Sequence, residues 1–242
     1  MPVLLLSVLV AGCNSPTEPQ DTLRINISPA AHPASEAVLT CAPRDEGPFV
    51  SIDSFYPGTF LAEDYDIVIR LGEPQADGFA AQLAWERIVL IVNPAVGIVD
   101  LSRAQAADLF SGRAETWDGF GGTESPITIW VAPQSDEARQ MFTEQVLLGV
   151  PIASHALLAS QPSQLLIEVA ADPNAAGLLP AAWVDGSVQQ VELELRVPIL
   201  ALTTMELEGA ARQLLACLQS EIGQAVLGEI YEPLAPGSQT EE

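Results

Sequence analysis

The chain has 242 residues, which is enough for one large or two small domains with a substantial core. It carries 32 acidic and nine basic residues, a formal net charge of −23, and all nine basic residues are arginine. A chain without lysine has no phosphate-loop lysine, no Schiff-base lysine and no serine–lysine nucleophile pair. Its acidity would repel a nucleic-acid backbone, and its 48% hydrophobic content indicates a globular protein.

The chain opens with an apolar run, VLLLSVLVA at 3–11. This run is too short to span a bilayer and has the length of the apolar region of a secretory signal. Val10-Ala11-Gly12-Cys13 resembles a bacterial lipobox. We therefore expect residues 1–12 to be a lipoprotein signal peptide and lipidated Cys13 to anchor an extracytoplasmic protein to the cell membrane. An ordinary signal peptide with an incidental cysteine is the alternative.

Two cysteines, Cys41 and Cys217, remain once Cys13 is assigned to lipid. An even number of cysteines in an oxidising compartment favours a disulfide between them, with two buried thiols as the alternative. The sequence has no Cys-x-x-Cys motif, and its two histidines, His32 and His155, lie far apart. We expect no metal site and no cofactor.

Short β-rich runs alternate with helical patterns, which predicts an α/β fold. Val- and Ile-rich content predicts strands at 23–27, 49–52, 65–70, 88–92, 127–131 and 191–197. Three helix starts are predicted from capping residues: Ser102 with Gln105, Ser135, and Thr203 with Glu206.

Signals of catalysis are weak. The sequence has no nucleophile elbow, no dinucleotide fingerprint and no His-Glu-x-x-His motif. Asp64 and Asp66 fall on one face of a predicted strand, but solvated strand-end carboxylates are the commoner explanation of such a pair. We predict that the protein is not an enzyme.

A series of motifs runs in a fixed order through residues 88–234. They are Val92-Asn93-Pro94, a capped helix ending at Phe110, Ser111-Gly112, Trp117, Gly121-Gly122, EVAADPNAAGLLPAAWV at 168–184, and a closing helical stretch. Together they resemble the phosphate-type substrate-binding proteins of ABC transporters. The likeness is weaker over residues 23–87.

The resemblance implies a two-lobed, periplasmic-binding-protein-like α/β fold in which the chain crosses twice at a hinge. Lobe one would comprise 23–90 and 197–234, and lobe two would comprise 91–196. Residues 13–22 would be a tether, and residues 235–242 a frayed acidic tail.

The resemblance also implies ligand-binding residues: Ser28, Asp66, Arg70, Ser135 and Arg139. Each also has a structural explanation, such as a cap or an exposed ion pair. The implied function is a lipid-anchored, extracytoplasmic protein that clamps a small solute, an oxyanion in this family, and delivers it to an ABC permease. The alternative is a sensory or scaffold binding module with the same fold, no transporter and a degenerate pocket.

One segment departs from the family pattern. The family keeps the start of one helix neutral, as Ser-Gly-Thr, whereas this chain has Asp136 and Glu137 there. Two carboxylates would repel an incoming dianion. We therefore predict weak or absent phosphate binding, with a neutral or cationic solute or a degenerate pocket instead.

Overall fold

The computed structural model describes residues 22–43, 47–59, 61–73 and 78–234. The predictions for the signal peptide, for lipidation of Cys13 and for the tail lie outside these residues. Within the described part of the chain, no helix is both long enough and apolar enough to cross a bilayer.

Strands and helices alternate along the chain, as predicted. The strands are β1 (Thr22–Ile27), β2 (Phe49–Asp53), β3 (Ile67–Leu71), β4 (Phe79–Val92), β5 (Thr128–Val131), β6 (Leu157–Leu158), β7 (Ala175–Pro180) and β8 (Gln189–Thr203). The α-helices are α1 (Ser35–Cys41), α2 (Arg103–Phe110), α3 (Glu137–Gln145), α4 (Pro162–Ala171), α5 (Gly209–Leu218) and α6 (Glu221–Ile230).

All the strands join one eight-stranded sheet in the order β2-β1-β3-β8-β4-β7-β5-β6. β1, β2 and β3 are parallel at one end, and β5, β6 and β7 are parallel at the other. The two long strands β4 and β8 lie between these groups and pair with each other in antiparallel fashion. β8 also pairs with β3 of the first group, and β4 also pairs with β7 of the second. This is the two-lobed α/β architecture expected from the sequence. The exact lobe boundaries stay a prediction.

The pairing register of β4 and β8 leaves a gap between the two groups of parallel strands. Leu71, the last residue of β3, pairs with Ile199, which also pairs with Ala84. Pro180, the last residue of β7, pairs with Ile88. The carboxyl ends of β3 and β7 therefore point toward each other across about four residues of β4, roughly 14 Å of strand.

The segment of β4 from Ala84 to Ile88, which crosses between the two strand groups, has an irregularity at each end. The β4–β8 register shifts between Gln82 and Ala84 and again between Ile88 and Val89. Opposite the second shift, Glu194 has a positive φ of 53°, which is uncommon for a residue other than glycine. Bulges bend a strand and increase its twist, so the pairing is bent on both sides of the crossing.

Most predicted strands and helices are confirmed, whereas some of the predicted helix caps are confirmed and others are wrong. Ser102 and Gln105 form the predicted capping box at the start of α2. The prediction at Thr203 is wrong: Thr203 pairs with Phe79 as the last residue of β8, and the next helix begins only at Gly209.

Cys41 and Cys217 form a disulfide with a Cα–Cα distance of 5.6 Å, which confirms the predicted pairing. The bond joins α1 to α5, and both helices belong to predicted lobe one. A bridge within one lobe does not restrain movement of that lobe against the other.

Candidate functional site

Loops from both strand groups meet at the gap beside the crossing strands. Ser28 follows β1 and Arg70 lies near the end of β3, whereas Asp136 and Glu137 follow β5 and begin α3. Ligands in open α/β sheets bind at the carboxyl ends of strands. We call this region, between Ser28 and Arg70 on one side and Asp136 and Glu137 on the other, the cleft.

Direct hydrogen bonds cross the cleft. The Tyr56 hydroxyl donates to the carbonyl oxygen of Ser160 at 3.2 Å. The Trp183 indole N–H donates to the carbonyl oxygen of Ala30, also at 3.2 Å, and the ring of His32 lies 6.4 Å from the Trp183 ring, measured between centroids. The structure therefore has the two predicted lobes in contact, in a closed arrangement.

Asp136 caps α3, which corrects the prediction that Ser135 does so. An Asp136 carboxylate oxygen accepts a hydrogen bond from the backbone N–H of Arg139 at 2.9 Å. Burial raises the pKa of Asp136 to about 6, while the N–H groups of Arg139 and Ala138 act in the opposite direction. Ser135 lies one residue earlier and is half-buried.

Glu137, the first residue of α3, is only 2% exposed. Neither of its carboxylate oxygens has a hydrogen-bond partner among the described residues, and the same holds for the fully buried Ser28 hydroxyl. Burial raises the pKa of Glu137 to about 7, and the negative charge of Asp136 acts in the same direction. The nearby Ser28 hydroxyl and the Arg70 charge oppose this rise.

Each arginine of the predicted site is associated with a different acid. Arg70 is half-buried, donates from Nε to the carbonyl oxygen of Leu71 at 3.3 Å, and exerts its charge on Glu137. Arg139 donates to the carbonyl oxygen of Ala132, and its charge acts on Asp136. Burial lowers the pKa of Arg139, and the Asp136 charge opposes that change.

Tyr56 contributes a third polar group from the side of Ser28 and Arg70. Burial raises the pKa of its hydroxyl, and the charges of Asp136 and Glu137 raise it further. Tyr56 was not among the predicted site residues, and neither was Trp183. The available signal for Tyr56 was an aromatic residue in the loop after the predicted strand 49–52. Trp183 follows β7, a strand that the sequence analysis did not predict.

Of the five predicted ligand residues, Asp66 is not brought to the cleft. It precedes β3, at the opposite end of that strand, where its exposed carboxylate accepts a hydrogen bond from the backbone N–H of Arg24 at 2.7 Å. Ser28 and Arg70 are brought to the same place as the start of α3, where Ser135 and Arg139 lie. Which of these residues contact a ligand stays a prediction.

A pocket of about 270 Å³ lies beside Arg70. Its other walls include Pro57, Phe79, Leu202 and Thr203. All of its lining residues belong to predicted lobe one, and it shares Arg70 with the cleft. The described residues contain no group of three or more His, Cys, Asp or Glu side chains placed to hold a metal ion.

One curated protein is similar over part of the sequence. The phosphate-binding protein PstS of Bacillus subtilis (strain 168) is 28% identical over 104 residues, which cover 43% of this chain. The match spans 34% of the length of that relative. No protein-family model matches the sequence.

Solved structures are similar over most of the described fold. A Clostridium perfringens protein, described as a phosphate ABC transporter substrate-binding protein with bound phosphate, has a TM-score of 0.82. It is 17% identical, and the alignment covers 89% of this chain and 100% of that one. An ABC-type phosphate transport receptor of Vibrio cholerae has a TM-score of 0.67 at 20% identity, with 87% and 100% covered.

The same fold also occurs in regulatory proteins. OxyR of Corynebacterium glutamicum has a TM-score of 0.61 at 12% identity, covering 86% of this chain and 64% of that one. At these identities the structural likeness establishes the fold, and function has to be argued from the site.

Proposed function

We propose that this chain, which has the fold of the phosphate-type substrate-binding proteins, is an extracytoplasmic solute-binding component of an ABC transporter. In this proposal it clamps a small solute between its two lobes and presents it to a permease. A lipid on Cys13 would hold it at the membrane. It performs no chemistry on the solute.

The convergence of buried polar groups on the cleft carries this proposal. Ser28 and Arg70 reach it from one predicted lobe, and the start of α3 reaches it from the other. A solute placed between them would contact both lobes, so binding would favour the closed arrangement. Among the described residues, the strands that cross between the predicted lobes are β4 and β8, and this is consistent with hinge closure.

Within the part of the chain that the structure describes, direct hydrogen bonds cross the cleft from Tyr56 and from Trp183. The bonds from Tyr56 and Trp183 are each worth about 1 kcal/mol net. Two such bonds would not by themselves hold the lobes together, so a solute that contacts both lobes can shift the balance between open and closed forms.

The acids at the start of α3 set the expected ligand class. Asp136 and Glu137 are each 2% exposed at the start of α3, where Ser28 and Arg70 act on Glu137. A phosphate dianion placed there would meet up to two negative charges, from Asp136 and Glu137, opposed by the charges of Arg70 and Arg139. We propose that phosphate binds weakly or not at all and that the transported solute is neutral or cationic.

A thermal-shift screen tests the binding function. The mature protein, from Cys13 onward, is melted with oxyanions, amino acids and sugars at near-saturating concentrations. The proposal predicts that at least one neutral or cationic solute raises the melting temperature in a saturable way. No stabilising solute in a broad screen would contradict it.

A sensory or scaffold module with a degenerate pocket is the second candidate. The burial of the Glu137 side chain in the cleft favours it, because that side chain takes up volume in which a solute would bind. Adjacent permease and ATPase genes would support transport, whereas an isolated gene would support the module.

A further inference from the structure

We propose that the Glu137 carboxylate itself occupies the position in the cleft that a solute oxyanion would take, and that this residue excludes free oxyanions. The inference rests on the solute-binding function proposed above. It assigns Glu137 as the residue that determines specificity in that site.

The first observation is the place of Glu137 between the lobes. The residue belongs to the segment after β5, but the groups that act on it from outside α3 come from the other predicted lobe: Ser28 after β1 and Arg70 on β3. Tyr56, also from that lobe, is close enough for the Glu137 charge to raise the pKa of its hydroxyl. The carboxyl therefore lies in the closed cleft rather than on one wall of it.

The second observation is that the surrounding groups are unpaired. Both Glu137 oxygens and the Ser28 hydroxyl are buried with no hydrogen-bond partner among the residues that the structure describes. Buried polar groups are nearly always paired in folded proteins. The Ser28 hydroxyl acts on the Glu137 carboxyl across the cleft as a hydrogen-bond donor would act on an oxyanion, so the Glu137 carboxyl takes the position of such a group.

The third observation is the sign of the electrostatic environment. Arg70 supplies a positive charge, and the first turn of the nine-residue helix α3 supplies backbone N–H groups and the positive end of the helix dipole. These two features favour an anion at this position, whereas burial and the negative charge of Asp136 oppose one. Glu137 satisfies that preference internally, so a second anion would meet both an occupied volume and a like charge.

The charged groups around Glu137 set how the exclusion depends on protonation. They are Asp136 on the same helix, Arg70 on β3 and the Tyr56 hydroxyl, which stays neutral at ordinary pH. Above neutral pH, Glu137 is ionised and both its charge and its volume oppose an oxyanion. Below neutral pH, Glu137 is protonated and only its volume opposes an oxyanion. Exclusion of oxyanions therefore weakens as the pH falls.

Isothermal titration with inorganic phosphate at pH 8 and low salt tests this assignment. The wild type is compared with Glu137→Ala, which removes charge and volume, and with Glu137→Gln, which removes the charge only. Glu144→Ala is the matched control, since Glu144 is an exposed acid on the same helix. Melting curves confirm that each variant is folded.

We expect Glu137→Ala to bind phosphate at least tenfold more tightly than the wild type, Glu137→Gln to show a smaller gain, and Glu144→Ala to show none. Sub-micromolar phosphate binding by the wild type would overturn the inference, as would a folded Glu137→Ala variant without any gain. If the alanine variant does not fold, Glu137→Gln decides alone: at least a threefold gain supports the inference, and a smaller one overturns it.

The result is separable from that of the proposed function. If the wild type is stabilised by some other solute while Glu137→Ala gains no phosphate binding, this inference fails and the solute-binding function stands. If no solute stabilises the wild type while Glu137→Ala binds phosphate, the inference stands and the transport function fails.

Discussion

Replacing Glu137 with glutamine is expected to stabilise the protein at pH 8 and to do so much less at pH 5. Burial raises the pKa of Glu137 from its ordinary value of 4.5 to about 7, so the folded chain holds a proton that the unfolded chain releases. The contribution of Glu137 to the free energy of unfolding is then highest below pH 4.5 and falls as the pH rises toward 7. The loss is at most about 3 kcal/mol, at 1.4 kcal/mol for each pH unit.

Differential scanning fluorimetry at the two pH values measures this effect. For a chain of this length, about 1 kcal/mol shifts the melting temperature by roughly 2–4 °C, so the variant should melt up to roughly 6–12 °C higher at pH 8. Glu86 also has a pKa raised by burial, but it occurs in both proteins and does not act on Glu137, so its contribution cancels. Asp136 does act on Glu137, and relief of that repulsion in the variant at pH 8 adds to the expected stabilisation. Glu144→Gln serves as the exposed control. An equal shift at both pH values, or none, would refute the reasoning.

Three further changes have defined outcomes. Replacing both Cys41 and Cys217 with serine should lower the free energy of unfolding by about 5 kcal/mol, because the disulfide closes a loop across 176 residues. Denaturant titration measures this loss, and an unchanged unfolding midpoint would contradict the prediction. Ser102→Ala should cost about 1 kcal/mol through loss of the capping box, in the same titration, and a cost near zero would show that the box contributes nothing. Cys13→Ser should move the bacterially expressed protein from the detergent phase to the aqueous phase, and equal partitioning would refute lipidation.

The sequence predicted best those features that depend on local interactions. The Ser102–Gln105 capping box involves residues three apart, and the structure has it as expected. The similar pattern at Thr203 failed because pairing with Phe79, distant in sequence, keeps that residue in β8. At α3 the prediction was Ser135, whereas Asp136 caps the helix; serine and aspartate are about equally favoured at this position, so local preference does not decide between neighbours.

Long-range contacts account for what the sequence did not predict about the cleft. An acidic residue in the first turn of a helix is ordinarily a solvated complement to the helix dipole. Glu137 is buried because loops from the other predicted lobe cover it, and no local pattern contains that information. Tyr56 was missed for the same reason, since its hydrogen bond to Ser160 joins residues 104 apart. The resemblance pointed to Ser28 and Arg70, which lie at the cleft, and their contact with a ligand stays a prediction.

The distance between the lobes, measured with and without solute, tests the proposed clamp most directly. Glu36 on α1 and Glu144 on α3 are exposed and belong to different predicted lobes, so cysteines placed there can carry two fluorophores. A Cys13→Ser background leaves no competing thiol, because Cys41 and Cys217 are bonded to each other. The clamp predicts that any solute which raises the melting temperature also shifts energy transfer toward a single, shorter distance. An unchanged distance distribution at saturating amounts of such a solute would contradict it.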